Sequence, residues 1–386
     1  CFSLSAQKII DLSGKWSFSI DRQDNGEKEK WFSHTLNDFI NLPGSMPEKQ
    51  KGDEVTAKTQ WTGSLYDSSY YYNPYMEKYR KEGNIKFPFF LTPDKHYVGA
   101  AWYQKEVNIP ADWKGERILL FLERPHIETT VWVNGQKTGM QNSLCVPHQY
   151  DITHYVRPGK CTITIRVDNR IKEINVGPDS HSITDQTQGN WNGIVGRICL
   201  QTTPKTYFDD IQIYPEPEQK LARVKVVIKG TGTAKVKLSA ESFNTDKKHI
   251  VPAIQQEIKL NKGVTETEMV LPMGNDMLLW DEFHPALYKL KAEVTNGKKT
   301  EIKEIQFGMR RFEIKGKWFY VNGRKTQLRG TVENCDFPLT GYAPMDVESW
   351  ERVFRICRSY GLNHMRFHSF CPPEAAFIAA DRVGFY

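Results

Sequence analysis

WYQKEVNIPADWKGERILLFLERPHIETTVWVNGQKTG, residues 102–139, decides the fold class. WYQKEVNI (102–109) is rich in residues that suit a pleated, half-buried surface, and Pro110 with the polar ADWKGE then breaks it. RILLFLE (117–123) is a short apolar run of the kind that forms a buried strand. TTVWVNGQKTG (129–139) reads as strand, turn and strand, because Asn134-Gly135 tolerates the positive φ angles of a tight hairpin turn.

The same pattern extends outward. CTITIRVDN (161–169) alternates after Pro158-Gly159, and GIVGRICLQT (193–202) alternates again. Short strands at this spacing, with no long amphipathic helix, predict a jelly-roll β-sandwich over residues 7–205. Residues 61–103, dense in aromatics and turn formers, read as an insertion in it. IQIYPEP, ARVKVVIKG, AKVKLSAES, TEMVLPM and ALYKLKAEV then predict a second sandwich over 206–306. Its length and roughly seven strands suit an immunoglobulin-like fold.

After Phe307 the pattern changes. FEIKGKWFYVNGRKTQLRGT (312–331) is a hairpin around Asn322-Gly323 leading into a further strand. DVESWERVFRICRSYG (346–361) predicts a helix, with Asp346 as cap, Gly361 past its end, and Val347, Trp350, Val353, Phe354, Cys357 and Tyr360 on one face. LNHMRFH (362–368) is a strand, and EAAFIAADRV begins a helix after Pro372-Pro373. Strand, helix, strand, helix is how a (β/α)8 barrel starts, and a barrel needs eight such units. The expected class is therefore mainly β and multidomain: a jelly roll, an immunoglobulin-like sandwich, and over 307–386 the first units of an incomplete TIM barrel. The chain is expected to be a fragment of a longer protein.

Composition excludes some functions. The 386 residues carry a net charge of only +6, and no Lys/Arg-rich run is present to track phosphates, so nucleic acid is not an expected partner. No stretch of about 18 apolar residues exists to span a membrane. Aromatics make up 12%, enough both to fill sandwich cores and to offer stacking surfaces for sugars. The seven Cys form no CxxC pair and are odd in number, so neither a zinc framework nor a disulfide scaffold is expected. Ser3 and Ser5 have the spacing of a signal-peptide cleavage site; residues 1–6 read as a signal remnant or linker, with a lipid-bearing Cys1 or a merely trimmed end as alternatives. The signal and lipid readings both point to export.

In LNHMRFH side chains alternate, so His364, Arg366 and His368 share one face. Arg366 and His368 lie toward the C-terminal end of the strand, where βα-barrels carry their active sites. Arg366 is expected either to find a carboxylate partner there or only to tie strands together, and His368 either binds a substrate hydroxyl or is a satisfied core histidine. Glu333 and Asn334, at the end of the preceding strand, are expected on the same rim, where they can bind sugar hydroxyls; the alternative for Glu333 is a solvated loop carboxylate.

Several blocks in order resemble the N-terminal part of the family 2 glycoside hydrolases, the group of β-galactosidases, β-glucuronidases and β-mannosidases. These are DLSGKWSF, the stretch around WYQKEVNIP and WVNGQKTG, PHQYDITHYVRPGKCTITIRVDN, QGNWNGIVGRICL, LWDEFHPALYKLKAEV and FGMRRFEIKGKWFYVNGRKTQLRG. The resemblance implies a retaining, exo-acting β-glycosidase whose two catalytic Glu residues come from later barrel strands, the acid/base directly after an Asn. No catalytic residue is therefore assigned within 1–386, and no metal or cofactor. Asn363 and Arg366 fit the family's Asn-x-x-Arg signature near the substrate pocket. His368 follows Asn363 by five residues where the family commonly has six and then Tyr-Pro; Ser369, Phe370 and Cys371 come next instead. The expected partner is carbohydrate, with a homo-oligomer open. The rival reading is a non-catalytic carbohydrate-binding or adhesion protein.

Overall fold

The computed structural model describes residues 8–56, 59, 62, 69–85, 92–172, 183 and 189–386. The expectation for residues 1–6, and the parts of the 61–103 insertion at 61, 63–68 and 86–91, lie outside the described residues. The described chain is mainly β and has several domains.

The first domain is a pair of antiparallel sheets. Six strands run in the order Gln136–Asn142, Glu128–Val133, Gly159–Asp168, Ala100–Ile109, Gly14–Asp21 and Asp38–Leu42. The facing sheet orders Ile9–Asp11, Gly193–Thr203, Arg117–Pro125 and His148–Asp151, with Gly44–Ser45 beside Gly193–Thr203. The Asn134-Gly135 turn has φ of 50° and 79°, as a two-residue hairpin requires. Between the sheets Trp16, Phe18, Tyr103, Val131, Ile165, Leu120, Leu122 and Leu200 are buried. Each such side chain contributes about 1.5–3 kcal/mol by leaving water.

The outer face of the six-stranded sheet is covered as well. Trp102 and Trp132 lie there 4.9 Å apart, beneath Phe32 and Trp31. Trp102 Nε1 donates to Asp21 Oδ2 at 2.9 Å. These indoles fill a core and are closed to a ligand. Toward the end of that sheet's interior strand Gly159–Asp168, Arg166 Nη2 meets Asp168 at 2.9 Å and Asp24 at 2.6 Å, and Lys172 joins Asp168 at 2.7 Å.

The second domain has five strands where about seven are expected. ARVKVVIKG and AKVKLSAES are one continuous strand, Leu221–Phe243, paired along its length with Ile250–Pro272. Gly230 and Gly232 look like a turn in sequence, but the ladder absorbs them as a register shift. Tyr207–Glu216, Leu287–Asn296 and Lys299–Phe307 complete the sheet.

The last segment follows its expected order. Phe312–Lys315, Trp318–Val321 and Arg324–Thr326 form a small antiparallel sheet, turned at Asn322-Gly323. Gly330–Glu333 then pairs in parallel with His364–Phe367 across the helix Val347–Ser359, and the helix Glu374–Val383 follows. Asp346 caps the first of these helices by accepting from Ser349 N at 2.8 Å. Trp350 and Phe354 are buried as expected, but Tyr360 is 81% exposed. The helix ends at Ser359, so the helical period no longer aims Tyr360 at the core.

Candidate functional site

The parallel pair positions the candidate residues. Val332 pairs with Arg366 and Glu333 with Phe367. Met365 and Phe367 point into the cluster under the two helices, with Trp350, Phe354 and Phe370. Val332 and Arg366 occupy the opposite face and are exposed. Arg366 makes no ion pair with any described residue, so the carboxylate partner expected for it is not found there. His364 lies on the same face, half-buried, and burial holds its imidazole below the usual range.

His368 and Glu333 meet at the shared end of the pair, where His368 N donates to the Glu333 carbonyl at 2.8 Å. The Glu333 side chain turns away from Arg366. Burial raises its carboxyl above the usual range, against backbone N–H groups of Cys335, Asp336 and Asn334 that draw it down. The Cys335 N–H reaches Oε1 at 2.7 Å. Asp336, beside it, is pushed up to about 6 by burial and by the Glu333 charge. Asn334 is exposed.

Asn363 sits at the other end of the strand. It is 2% exposed, and its amide is fully engaged. Nδ2 donates to both Glu282 oxygens, at 3.2 and 3.1 Å, and to the Gln327 carbonyl at 3.1 Å. Its Oδ1 accepts from Arg329 N at 2.8 Å. The structure thus brings Glu333, Asn334 and His368 to one end, sets Arg366 on the open face, and places Asn363 apart from them as a buried tie.

Residues from the first domain pack beside this end of the pair, and sequence reasoning did not single them out. Arg124 donates to the carbonyls of Cys371 and Pro372, at 2.8 and 3.1 Å. Trp191 stacks on His126 with ring centroids 4.4 Å apart and tilts against Tyr342 at 5.5 Å. Tyr342 donates to Glu48 Oε2 at 2.9 Å. These contacts link residues far apart in sequence, so only the QGNWNG block, quoted above for resemblance, hinted at Trp191. Next to them a cleft of about 1190 Å³ runs between the first domain and the 336–347 loop, lined by Phe121, Arg197, Phe337, Leu339, Met345 and Ile378 among others. Among the described residues no group of His, Cys, Asp or Glu converges to hold a metal ion. No described helix is long and apolar enough to cross a membrane.

Comparison with known proteins bears on this geometry. Residues 9–204 match the glycosyl hydrolases family 2 sugar binding domain, and residues 206–310 match the glycosyl hydrolases family 2 model that follows it. A Formosa agariphila protein named putative beta-glucuronidase is 27% identical over 76% of this chain and 35% of its own length. A Thermoanaerobacter pseudethanolicus beta-galactosidase is 24% identical over 78% of this chain and 40% of its own. The chain thus spans well under half the length of either relative. A crystal structure of a glycosyl hydrolase family 2 member from Bacteroides cellulosilyticus superposes with a TM-score of 0.71 at 22% identity, over 98% of this chain and 46% of that one. With two consecutive family models covering both β-domains and a shared fold continuing through the parallel pair, the chain belongs to glycosyl hydrolases family 2.

Proposed function

We propose that this chain is the N-terminal, non-catalytic portion of an exported, retaining, exo-acting β-glycosidase. In this reading its first domain is a jelly roll, its second is immunoglobulin-like, and the parallel pair opens a (β/α)8 barrel. The observation that carries it is that pair: its shared end joins His368 to Glu333, and its open face presents Arg366. An unpaired guanidinium on the inner face of a barrel would meet a carboxylate of the substrate or of the catalytic pair. Retention requires those two carboxylates to stand about 5–5.5 Å apart, one protonated and one ionised. The proposal places both Glu residues in later strands. Glu333 and Asn334 would then help shape the sugar pocket and not cleave the bond.

The test is an assay with aryl β-glucuronides, β-galactosides and β-mannosides. Residues 1–386 alone should turn over none. A protein that continues past Tyr386 should contain an Asn-Glu pair and hydrolyse at least one substrate with retained anomeric configuration, read by proton NMR. Turnover by residues 1–386, or inversion by the longer protein, would overturn the proposal.

A second reading draws on Tyr72 and Tyr75, which are 79% and 85% exposed in the described part of the insertion. Exposed rings can stack on sugars. A glycan array probed with residues 7–205 separates a binding role from an architectural one.

A further inference from the structure

We propose that Cys145 and Cys371 are a redox pair whose disulfide clamps the first β-domain to the rim of the parallel strand pair. The two residues belong to distant parts of the chain. Cys145 lies in the turn between Gln136–Asn142 and His148–Asp151, and Cys371 follows His364–Phe367 and precedes Pro372-Pro373. One guanidinium holds both. Arg124 Nη1 donates to the Cys371 carbonyl at 2.8 Å, and Nη2 donates to the Cys145 carbonyl at 3.3 Å and to Pro372 O at 3.1 Å. Carbonyls sharing one planar cation keep their backbones side by side, which is the condition for bridging without a large backbone movement.

The Cys371 backbone N–H favours the Cys145 thiolate, and the Cys371 charge opposes it. Cys371 is exposed and Cys145 is half-buried. A third cysteine near Arg124, Cys335, is buried and lines a small cavity with Leu144, Tyr342 and Ala343.

The chemistry needs an oxidant, and a low-molecular-weight disulfide such as oxidised glutathione supplies it. The Cys371 thiolate attacks one sulfur of the small disulfide and expels the other half as a thiolate, which takes up a proton. The Cys145 thiolate then attacks the Cys371 sulfur of the mixed disulfide and expels the second half. Two protein thiols and one small disulfide become one protein disulfide and two small thiols. Arg124 favours the Cys145 thiolate needed in the second step, against the burial that opposes it. Its own bonds go to carbonyls, so bridging need not break them. The bond would fix the 368–373 loop, and with it the rim, to the first domain; reduction would release it.

The experiment incubates the wild-type chain with oxidised glutathione, quenches with acid, blocks free thiols and maps disulfide-linked peptides by mass spectrometry without reduction. The expected product is a Cys145–Cys371 linked peptide, exceeding any other pairing by roughly tenfold because the folded chain sets a high local concentration. Cys145→Ser and Cys371→Ser should each abolish it, and urea should erase the preference. Separate glutathione adducts on the two cysteines with no link, or Cys335 replacing either partner, would overturn the proposal.

Discussion

Asn363 Nδ2 lies 3.1 Å from Glu282 Oε2, joining the start of the second parallel strand to the second β-domain. Glu282 also accepts from Arg329 at 3.2 Å, and its carbonyl accepts from Arg358 at 2.6 Å. The strand that carries Arg366 is thus anchored at one end by a buried amide, while its other end meets Glu333 through His368. Asn363→Ala strands one carboxylate oxygen pair, the Gln327 carbonyl and the Arg329 N–H. It should cost about 1–3 kcal/mol. Asn363→Asp should cost more, because two carboxylates would then share a buried contact. Hydrogen exchange resolved by segment is the check: protection should fall in 327–386 and hold in 9–204. Uniform exchange in both segments would refute the anchoring role.

Arg366 behaves in the opposite way. It is exposed and has no ionic partner among the described residues. Arg366→Ala in this chain should leave the urea midpoint within the equivalent of about 0.5 kcal/mol of wild type. In a longer active protein the same substitution should lower kcat/KM while the melting temperature holds. A large stability loss in residues 1–386 alone would show that Arg366 is structural.

How much of this was legible follows from the range of each interaction. Both Asn-Gly hairpins and the Asp346 cap depend on neighbours in sequence, and they appear where the residues predict. The parallel pair was legible because strand, helix and strand alternate with short connections. The second domain's long strands were not, since Gly230-Thr231-Gly232 has the same local chemistry whether the chain turns or slips register. Alternation placed Arg366 and His364 on one face but is silent on what covers that face. Asn363 was read through a motif, and its partner Glu282 lies in another domain with no local signature. Arg124, Trp191 and Tyr342 escaped for the same reason.

Asp168 is the centre of the ion cluster at the end of the strand Gly159–Asp168. It is fully buried and accepts from Arg166, Arg170 and Lys172. Burial works to raise its carboxyl, but the bonds from Arg170 and Lys172 and the Arg166 charge outweigh it, so it sits well below the usual range. Its stabilising contribution is therefore present above about pH 4 and is lost as pH falls through its lower folded value. Asp168→Asn leaves buried Arg166 under-compensated and should cost about 3 kcal/mol or more. The first domain's thermal transition, followed by tryptophan fluorescence, should fall accordingly at pH 7 and converge with wild type in strong acid.

Between pH 4 and 7 two opposed sets of groups set the acid response. Burial holds His126 down to about 3 and His96 and His148 to about 4. The unfolded chain takes up protons on these residues near pH 6.5 and the folded chain does not, so each removes stability as pH falls below about 6.5, by up to roughly 1.4 kcal/mol per pH unit. Asp336 has the reverse sign. Its folded value near 6 exceeds the unfolded one, so its contribution is full below about pH 4 and is lost as pH rises through 6. His364 adds to the histidines, and Glu333 and Glu301 add to Asp336; the three large histidine shifts predict a net decline in the urea midpoint on acidification. His126→Phe keeps a ring to stack on Trp191 and removes one titrating group, so the decline should become shallower. Asp336→Asn removes one opposing group, so the decline should steepen. Midpoints at pH 7, 6 and 5 for the three proteins decide the matter: parallel lines would mean that neither His126 nor Asp336 changes its proton affinity on folding.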